Sequence, residues 1–207
     1  RFLMIAVLCV TFYCTVIRFK KFGVSILLPL FGVDLDIATV LLAMIPFFTI
    51  LFTPLFGALV DKVGKATLWM IVGSAMVLVS HLIITFAPQG EPMYAYIAIA
   101  LLGIGYSLVP SAMWPSVPKI IPEKNLGTAY SLIYWVQNLG MWAVPIYVGR
   151  IFKKEITEAG NITQEITAAI HAEYVFIFLG IVAIATAMML YHSSRRHPEL
   201  RLDEPAQ

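Results

Sequence analysis

The chain has 207 residues, of which 60% are hydrophobic and only 13% are charged. Its mean hydropathy of +0.86 is higher than a soluble domain of this length requires. The formal net charge of +2 provides no strongly basic surface, so we expect no nucleic-acid partner. The composition therefore predicts an integral membrane protein in contact with lipid, and it argues against a soluble catalytic domain.

Six apolar stretches are long enough to cross a bilayer, because a hydrocarbon core of about 30 Å requires about 20 helical residues. In chain order they are residues 2–22 with a kinked continuation to 31, then 37–60, 66–87, 93–117, 126–152 and 173–192. We predict an all-α polytopic membrane protein with six transmembrane helices over residues 1–192. Residues 193–207 are predicted to form a disordered cytoplasmic tail.

One polar stretch, residues 153–172, interrupts this series before the last span. Its isoleucines and glutamates recur at roughly helical spacing. This pattern predicts a short amphipathic helix that lies on the outer membrane surface.

The connection between the second and third spans, residues 57–65, reads Gly-Ala-Leu-Val-Asp-Lys-Val-Gly-Lys. It resembles G-x-x-x-D-(R/K)-x-G-(R/K), the loop signature of the major facilitator superfamily of membrane transporters. The matching residues are Gly57, Asp61, Lys62, Gly64 and Lys65. The resemblance implies a twelve-helix secondary transporter made of two six-helix halves. Since the tail follows the last span, we expect the chain to be the carboxy-terminal half, partnered by an upstream half.

A second stretch, between residues 103 and 140, narrows the resemblance. Residues 105–115 read Gly-Tyr-Ser-Leu-Val-Pro-Ser-Ala-Met-Trp-Pro, and residues 137–140 read Gln-Asn-Leu-Gly. They are similar to the tenth and eleventh helices of the major facilitator superfamily domain-containing protein 1 family and its bacterial relatives. The vertebrate branch of that family is a lysosomal dipeptide uniporter. The resemblance thus implies transport of dipeptides or other small organic solutes.

Lysine and arginine residues favour one side of the predicted bundle. Eight lie at the chain start, in the 61–65 loop, in the 118–125 loop and in the tail, against six on the opposite side. The positive-inside rule then places both termini in the cytoplasm. We expect a plasma or inner membrane location in a bacterium and a lysosomal membrane in a eukaryote.

The 57–65 loop carries the first candidate function. In the superfamily, its carboxylate is thought to dock at the N-terminus of a neighbouring helix and latch one conformation of the transport cycle. By resemblance, Asp61 is that latch, and Gly57 allows two helices to approach closely. The alternative is an ordinary charged turn.

Arg18 is a second candidate, because it lies about 25 Å along the first helix, in the outer half of the span. The family is expected to carry an apolar residue-proline-phenylalanine step there, where this chain has Ile17-Arg18-Phe19. A cation at membrane depth faces a cavity or a partner, and it could hold a substrate carboxylate. Alternatively, it snorkels to the interface, with Asp34 and Asp36 as structural partners.

Two polar stripes complete the predicted substrate cavity. Tyr130, Tyr134, Gln137 and Asn138 share one face of the fifth span, and the fourth span contributes Tyr106 and Ser107. Amides both donate and accept hydrogen bonds, which suits a peptide backbone. Bonding between helices is the alternative for these side chains.

The remaining polar groups argue against an enzymatic function. His81, within the third span, is predicted to be a buried, hydrogen-bonded histidine rather than a proton relay. The acidic residues all fall in predicted loops or at span ends, which weakly favours a facilitator over a proton-coupled carrier. We expect no enzyme, metal or cofactor. A non-transporting receptor or scaffold, and an intramembrane protease using Ser107, are the alternative functions.

Overall fold

The computed structural model describes residues 1–156, 161–198 and 201–205. These residues form six long α-helices and one 3-10 turn, Glu123–Asn125. The helices are α1 Phe2–Phe31, α2 Leu35–Val63, α3 Ala66–Phe86, α4 Pro92–Ser116, α5 Leu126–Glu155 and α6 Ile162–Arg196. Each predicted span falls in a helix of its own, so the all-α class and the six-helix count are confirmed.

Five of the described helices, α1 to α4 and α6, are long and apolar enough to cross a membrane. The fifth helix, α5, has 30 residues, which exceeds the length that a span requires. The sequence of α5 includes tyrosines, the Gln137–Asn138 amide pair and glycines, which lower the mean hydropathy of the helix. It packs along α1 and α6, which makes it part of the same bundle.

The ends of the helices follow local chemistry. The first helix continues through Pro29 and ends at Gly32, whose φ of 63° suits a residue without a Cβ. After a short turn, the Asp34 carboxylate accepts a hydrogen bond from the Ile37 N–H and caps α2. We call this end of the bundle the Gly32 end, and the opposite end, with the α2–α3 loop, the Gly64 end.

The last helix differs from the prediction. Residues 162–172 are not a separate surface helix but the first three turns of α6, which begins after the Asn161 cap. Their apolar face meets the bundle rather than lipid, because Ala168, Ala169 and Ala172 are fully buried. Small side chains at helical spacing let α6 pack closely against the bundle. Residues 157–160, also part of the predicted surface helix, lie outside the described residues.

Glycines let the fourth helix pack closely against the third and the second helices. A Cβ built on Gly105 would lie 2.8 Å from the carbonyl oxygen of Gly73, and one on Gly103 would lie 2.5 Å from the ring of Phe48. Neither position has space for a side chain, so both glycines are close-packing positions. Close backbone approach of this kind drives helix association in membranes.

The tail also differs from the prediction, since residues 201–205 pack against the Gly64 end. The Asp203 carboxylate accepts hydrogen bonds from the backbone N–H and the hydroxyl of Thr67, both in the first turn of α3. It also accepts one from Ser194 on α6. Leu202 is buried, and Lys119 donates to the Glu204 carbonyl. A carboxylate at a helix N-terminus is favourable, so this contact orders the segment.

Candidate functional site

An aromatic cluster forms where α1, α4 and α5 meet. Trp114 is at its centre: its indole N–H donates to the Tyr13 hydroxyl at 3.0 Å, and its ring stacks on Tyr134 with centroids 5.1 Å apart. Tyr130 lies 5.9 Å from the same ring. The complete cluster consists of Phe12, Tyr13, Tyr106, Trp114, Tyr130 and Tyr134.

The cluster has a closed side and an open side. Phe12 is fully buried, Tyr13, Tyr106, Trp114 and Tyr130 are half-buried, and Tyr134 is 49% exposed. Buried tyrosine and tryptophan side chains normally find hydrogen-bond partners, whereas exposed ring faces are free to stack on a ligand. The arrangement therefore presents an amphipathic aromatic surface away from the core.

The amide pair of α5 is divided between the two sides. Gln137 is buried, and its carbonyl accepts a weak hydrogen bond from the Cys9 thiol on α1, at 3.3 Å. Asn138 is exposed and donates to the Tyr134 carbonyl of its own helix. Gln137 is thus next to the aromatic cluster, and the structure does not bring Asn138 into it.

Ser107 points away from the aromatic cluster, although Tyr106 belongs to it. The Ser107 hydroxyl is buried, 2.8 Å from the Gly103 carbonyl of its own helix and 3.2 Å from the Phe48 carbonyl on α2. These contacts join α4 to α2. Among the described residues, no histidine bonds to Ser107, which weighs against the intramembrane protease alternative.

Arg18 is half-buried on α1, and its Nε atom is buried without a hydrogen-bond partner among the described residues. The predicted structural partners are wrong: Asp34 caps α2 instead, and Asp36 is exposed in the first turn of that helix. A buried guanidinium nitrogen without a partner is costly. Water or a bound anion would satisfy it.

The 57–65 loop has two different parts. Asp61 and Lys62 lie in the last turn of α2, exposed, and no hydrogen bond or ion pair within the described chain engages the Asp61 carboxylate. A Cβ on Gly57 would meet no atom within 4 Å, so no described helix approaches closely there. Both residues lie where another segment could dock.

The second part of the loop is held by the tail. Gly64 has φ 69°, and a Cβ on it would overlap the carbonyl of Asp203. The backbone N–H of Lys65 donates to that same carbonyl at 2.8 Å. Glycine is therefore required at position 64 both by its dihedral angle and by the packed tail.

A buried polar pair was not predicted from the sequence. His81 on α3 is buried and hydrogen-bonded, as predicted, and its partner is Glu173 on α6, with 2.7 Å between Nδ1 and Oε2. Glu173 was expected at a span end. Because α6 begins 11 residues earlier, Glu173 lies within a helix and is fully buried against α3. Its signal in the sequence was the alanine-rich helical pattern that continues upstream of it.

Comparison with known proteins agrees with this architecture. A family model described as Major Facilitator Superfamily matches residues 1–145. The lysosomal dipeptide transporter MFSD1 of Homo sapiens is 35% identical over 148 residues, which cover 72% of this chain and 31% of that protein. The Mus musculus protein of the same name is 36% identical over 149 residues, again 72% of this chain and 31% of that protein. The Danio rerio protein of that name is 29% identical over 188 residues, or 91% of this chain and 37% of that protein.

The chain thus spans about a third of the length of the curated relatives it matches. The predicted resemblance is confirmed by both kinds of match. Together with the apolar helices, it makes the chain a multi-pass integral membrane protein. The chain belongs to the major facilitator superfamily of membrane transporters.

Proposed function

We propose that this chain forms the carboxy-terminal half of a secondary transporter that moves dipeptides, or other small organic solutes, by alternating access. The relatives in three vertebrates are named dipeptide transporters, which supports this substrate class. The upstream half supplies the opposite wall of the cavity. Both termini face the cytoplasm, and the membrane is lysosomal in a eukaryote and the plasma or inner membrane in a bacterium.

The observation that carries this proposal is the open aromatic cluster of α1, α4 and α5. Arg18 lies about 7.5 Å further along α1 than Tyr13, and its Nε is buried without a hydrogen-bond partner among the described residues. We infer that the guanidinium of Arg18 binds the substrate carboxylate, and that the rings of Trp114 and Tyr134 contact the substrate side chains. Gln137 is close enough to the cluster to bond the peptide amide.

The helix surfaces also support a mobile partner half. Helix α2 leaves large apolar side chains uncovered along its length, with Ile50 77% exposed and Phe47 53% exposed. Helix α5 does the same at Trp135 and Trp142. These faces contact the upstream half and lipid. Asp61, exposed at the end of α2, docks on a helix N-terminus of that half and latches one conformation.

Counterflow into liposomes that contain the full-length protein tests the proposal. Labelled dipeptides, single amino acids and sugars are compared, with and without a pH gradient. We expect dipeptide exchange that is independent of the gradient, as in a facilitator. Movement of sugars alone would contradict the substrate class, and no movement of any solute would favour the receptor or scaffold alternative.

The same assay tests the latch. Asp61→Ala should reduce flux at least about tenfold while expression is unchanged, because loss of one charged contact of about 1.4 kcal/mol corresponds to a factor of ten. Asp36→Ala is the matched control, since it removes an exposed carboxylate from the other end of the same helix. Equal flux in both variants would exclude a latch at Asp61.

A further inference from the structure

A groove with a volume of about 840 Å³ lies between α5 and α6, close to the Gly32 end. One wall carries Tyr147, Arg150 and Lys154 of α5, and the other carries Tyr174, Phe178 and Leu179 of α6. The transport cavity proposed above is formed by α1, α4 and α5, so this groove lies on a different face of α5.

The two helices place the groove at one membrane boundary. Measured from Leu126, where α5 begins, Tyr147 is about 32 Å along the helix and Arg150 about 36 Å. Measured from Arg195, at the other end of α6, Tyr174 is about 32 Å and His171 about 36 Å away. A hydrocarbon core is about 30 Å thick. Both tyrosines therefore lie at the interface, where aromatic residues are enriched, and the charged groups lie just outside it.

The charge of the groove is positive at its polar end. Arg150 and Lys154 are exposed and form no ion pair within the described chain. The neighbouring carboxylate, Glu155, is engaged by His171, with 3.2 Å between its Oε1 and the ring Nδ1. Two cations thus remain available at headgroup depth. Below them, Phe178 is 64% exposed and lies about 26 Å from Arg195, within the hydrocarbon layer.

We propose that this groove binds an acidic glycerophospholipid of the leaflet at the Gly32 end. Arg150 and Lys154 hold the headgroup phosphate through charge-assisted hydrogen bonds, and the two tyrosines lie beside the glycerol region. An acyl chain extends along Phe178 and Leu179. A free phosphate would use the cations but not the apolar walls, whereas a second protein copy would leave the cations unpaired.

Native mass spectrometry of the purified full-length protein tests this site with two probes. Dioleoylphosphatidylglycerol and dioleoylphosphatidylcholine are titrated against delipidated protein, and the dissociation constant of the first retained lipid is measured. We expect the acidic lipid to bind about 25-fold more tightly, since each of the two cations contributes about a factor of five near a lipid surface. The double variant Arg150→Gln with Lys154→Gln should bind both lipids equally.

Lys153 provides a matched control, because it is the neighbouring cation on α5 but does not line the groove. Lys153→Gln should keep the preference for the acidic lipid. A second variant, Ala143→Trp, fills the groove without changing its charge and should weaken both lipids, with thermal unfolding confirming that each variant is folded.

Three results would overturn the proposal. The preference for the acidic lipid could be lost in Lys153→Gln as fully as in the double variant, which would mean that the positive charge of the whole helix end attracts lipid without a specific site. It could survive in the double variant, or the groove could be found occupied by protein in a dimer that excludes lipid.

Discussion

Two polar regions in this bundle each combine ionisable side chains with aromatic rings, and they differ in how far the protein closes them off from solvent. The His81–Glu173 pair lies between α3 and α6, fully buried, with a 2.7 Å hydrogen bond and with Phe19 and Phe176 packed around the imidazole. The second polar atom of each side chain, His81 Nε2 and Glu173 Oε1, is buried without a hydrogen-bond partner among the described residues. The aromatic cluster and Arg18 lie on α1, α4 and α5, with half-buried rings and an unpartnered guanidinium nitrogen.

The difference distinguishes structural polarity from functional polarity. A polar group in an apolar environment is costly unless it is bonded, so a pair that is closed off by the chain holds two helices together. A polar group that the chain leaves open is instead available to water or to a ligand. On this basis we assign the first region to stability and the second to substrate binding, and three substitutions test that assignment.

The largest effect is expected at the closed pair. Glu173→Ala removes one partner and leaves His81 buried without a hydrogen bond at Nδ1, which should lower the free energy of unfolding by about 3 kcal/mol. Thermal unfolding of the purified protein in nanodiscs measures this loss. Glu173→Gln is the control, because its amide can still bond the imidazole and should cost about 1 kcal/mol. If both variants unfold at the wild-type temperature, the pair is not structural.

A smaller effect, on binding rather than folding, is expected at Arg18. Arg18→Gln should weaken dipeptide binding about tenfold or more, because a hydrogen bond to a charged group contributes about 1.5–3 kcal/mol. Affinity is measured for a dipeptide and for the same dipeptide with an amidated carboxyl terminus. The variant should bind both equally, whereas Lys21→Gln, an exposed cation on the same helix, should discriminate as the wild type does. Unchanged discrimination in Arg18→Gln would make it an interface residue.

The smallest effect on stability is expected at Gln137, which lies on the buried side of the aromatic cluster and accepts a hydrogen bond from Cys9. Gln137→Leu replaces a neutral amide by an apolar side chain of similar size, so stability should change by less than about 1 kcal/mol. Transport should nevertheless fall if the amide bonds the substrate. Ser131→Ala is the control, because Ser131 is exposed and bonds only within its own helix. Equal transport in both variants would limit Gln137 to its contact with Cys9.

Much of the fold follows from the sequence because spans are a local property. Twenty apolar residues must form a helix in a bilayer, since no water is present to satisfy the backbone. The bounds of α2 to α5 accordingly agree with the predicted spans to within a few residues. The 57–65 signature and the stretch up to residue 140 identified the superfamily for the same reason, as both are contiguous in the chain.

Two departures from prediction involve contacts between distant residues. Hydropathy placed Glu173 at the end of the last span, where its partner was not predicted. Packing of α6 against α3 brings it to a histidine 92 residues away in the chain. The tail was predicted to be disordered from its polarity, yet Asp203 reaches the first turn of α3, 136 residues away. Neither partner can be predicted from a short stretch of sequence around the residue.

The lengths of the apolar stretches were therefore sufficient to predict the all-α membrane class and the helices. The 57–65 loop signature and the 103–140 stretch were sufficient to predict the family. The assignment of each polar side chain to a closed pair, a tail contact or an open surface required the packed bundle. The physical reason is that hydropathy scores a residue against an average environment, whereas the cost of a buried charge or amide depends on the particular group that packing brings within hydrogen-bond distance.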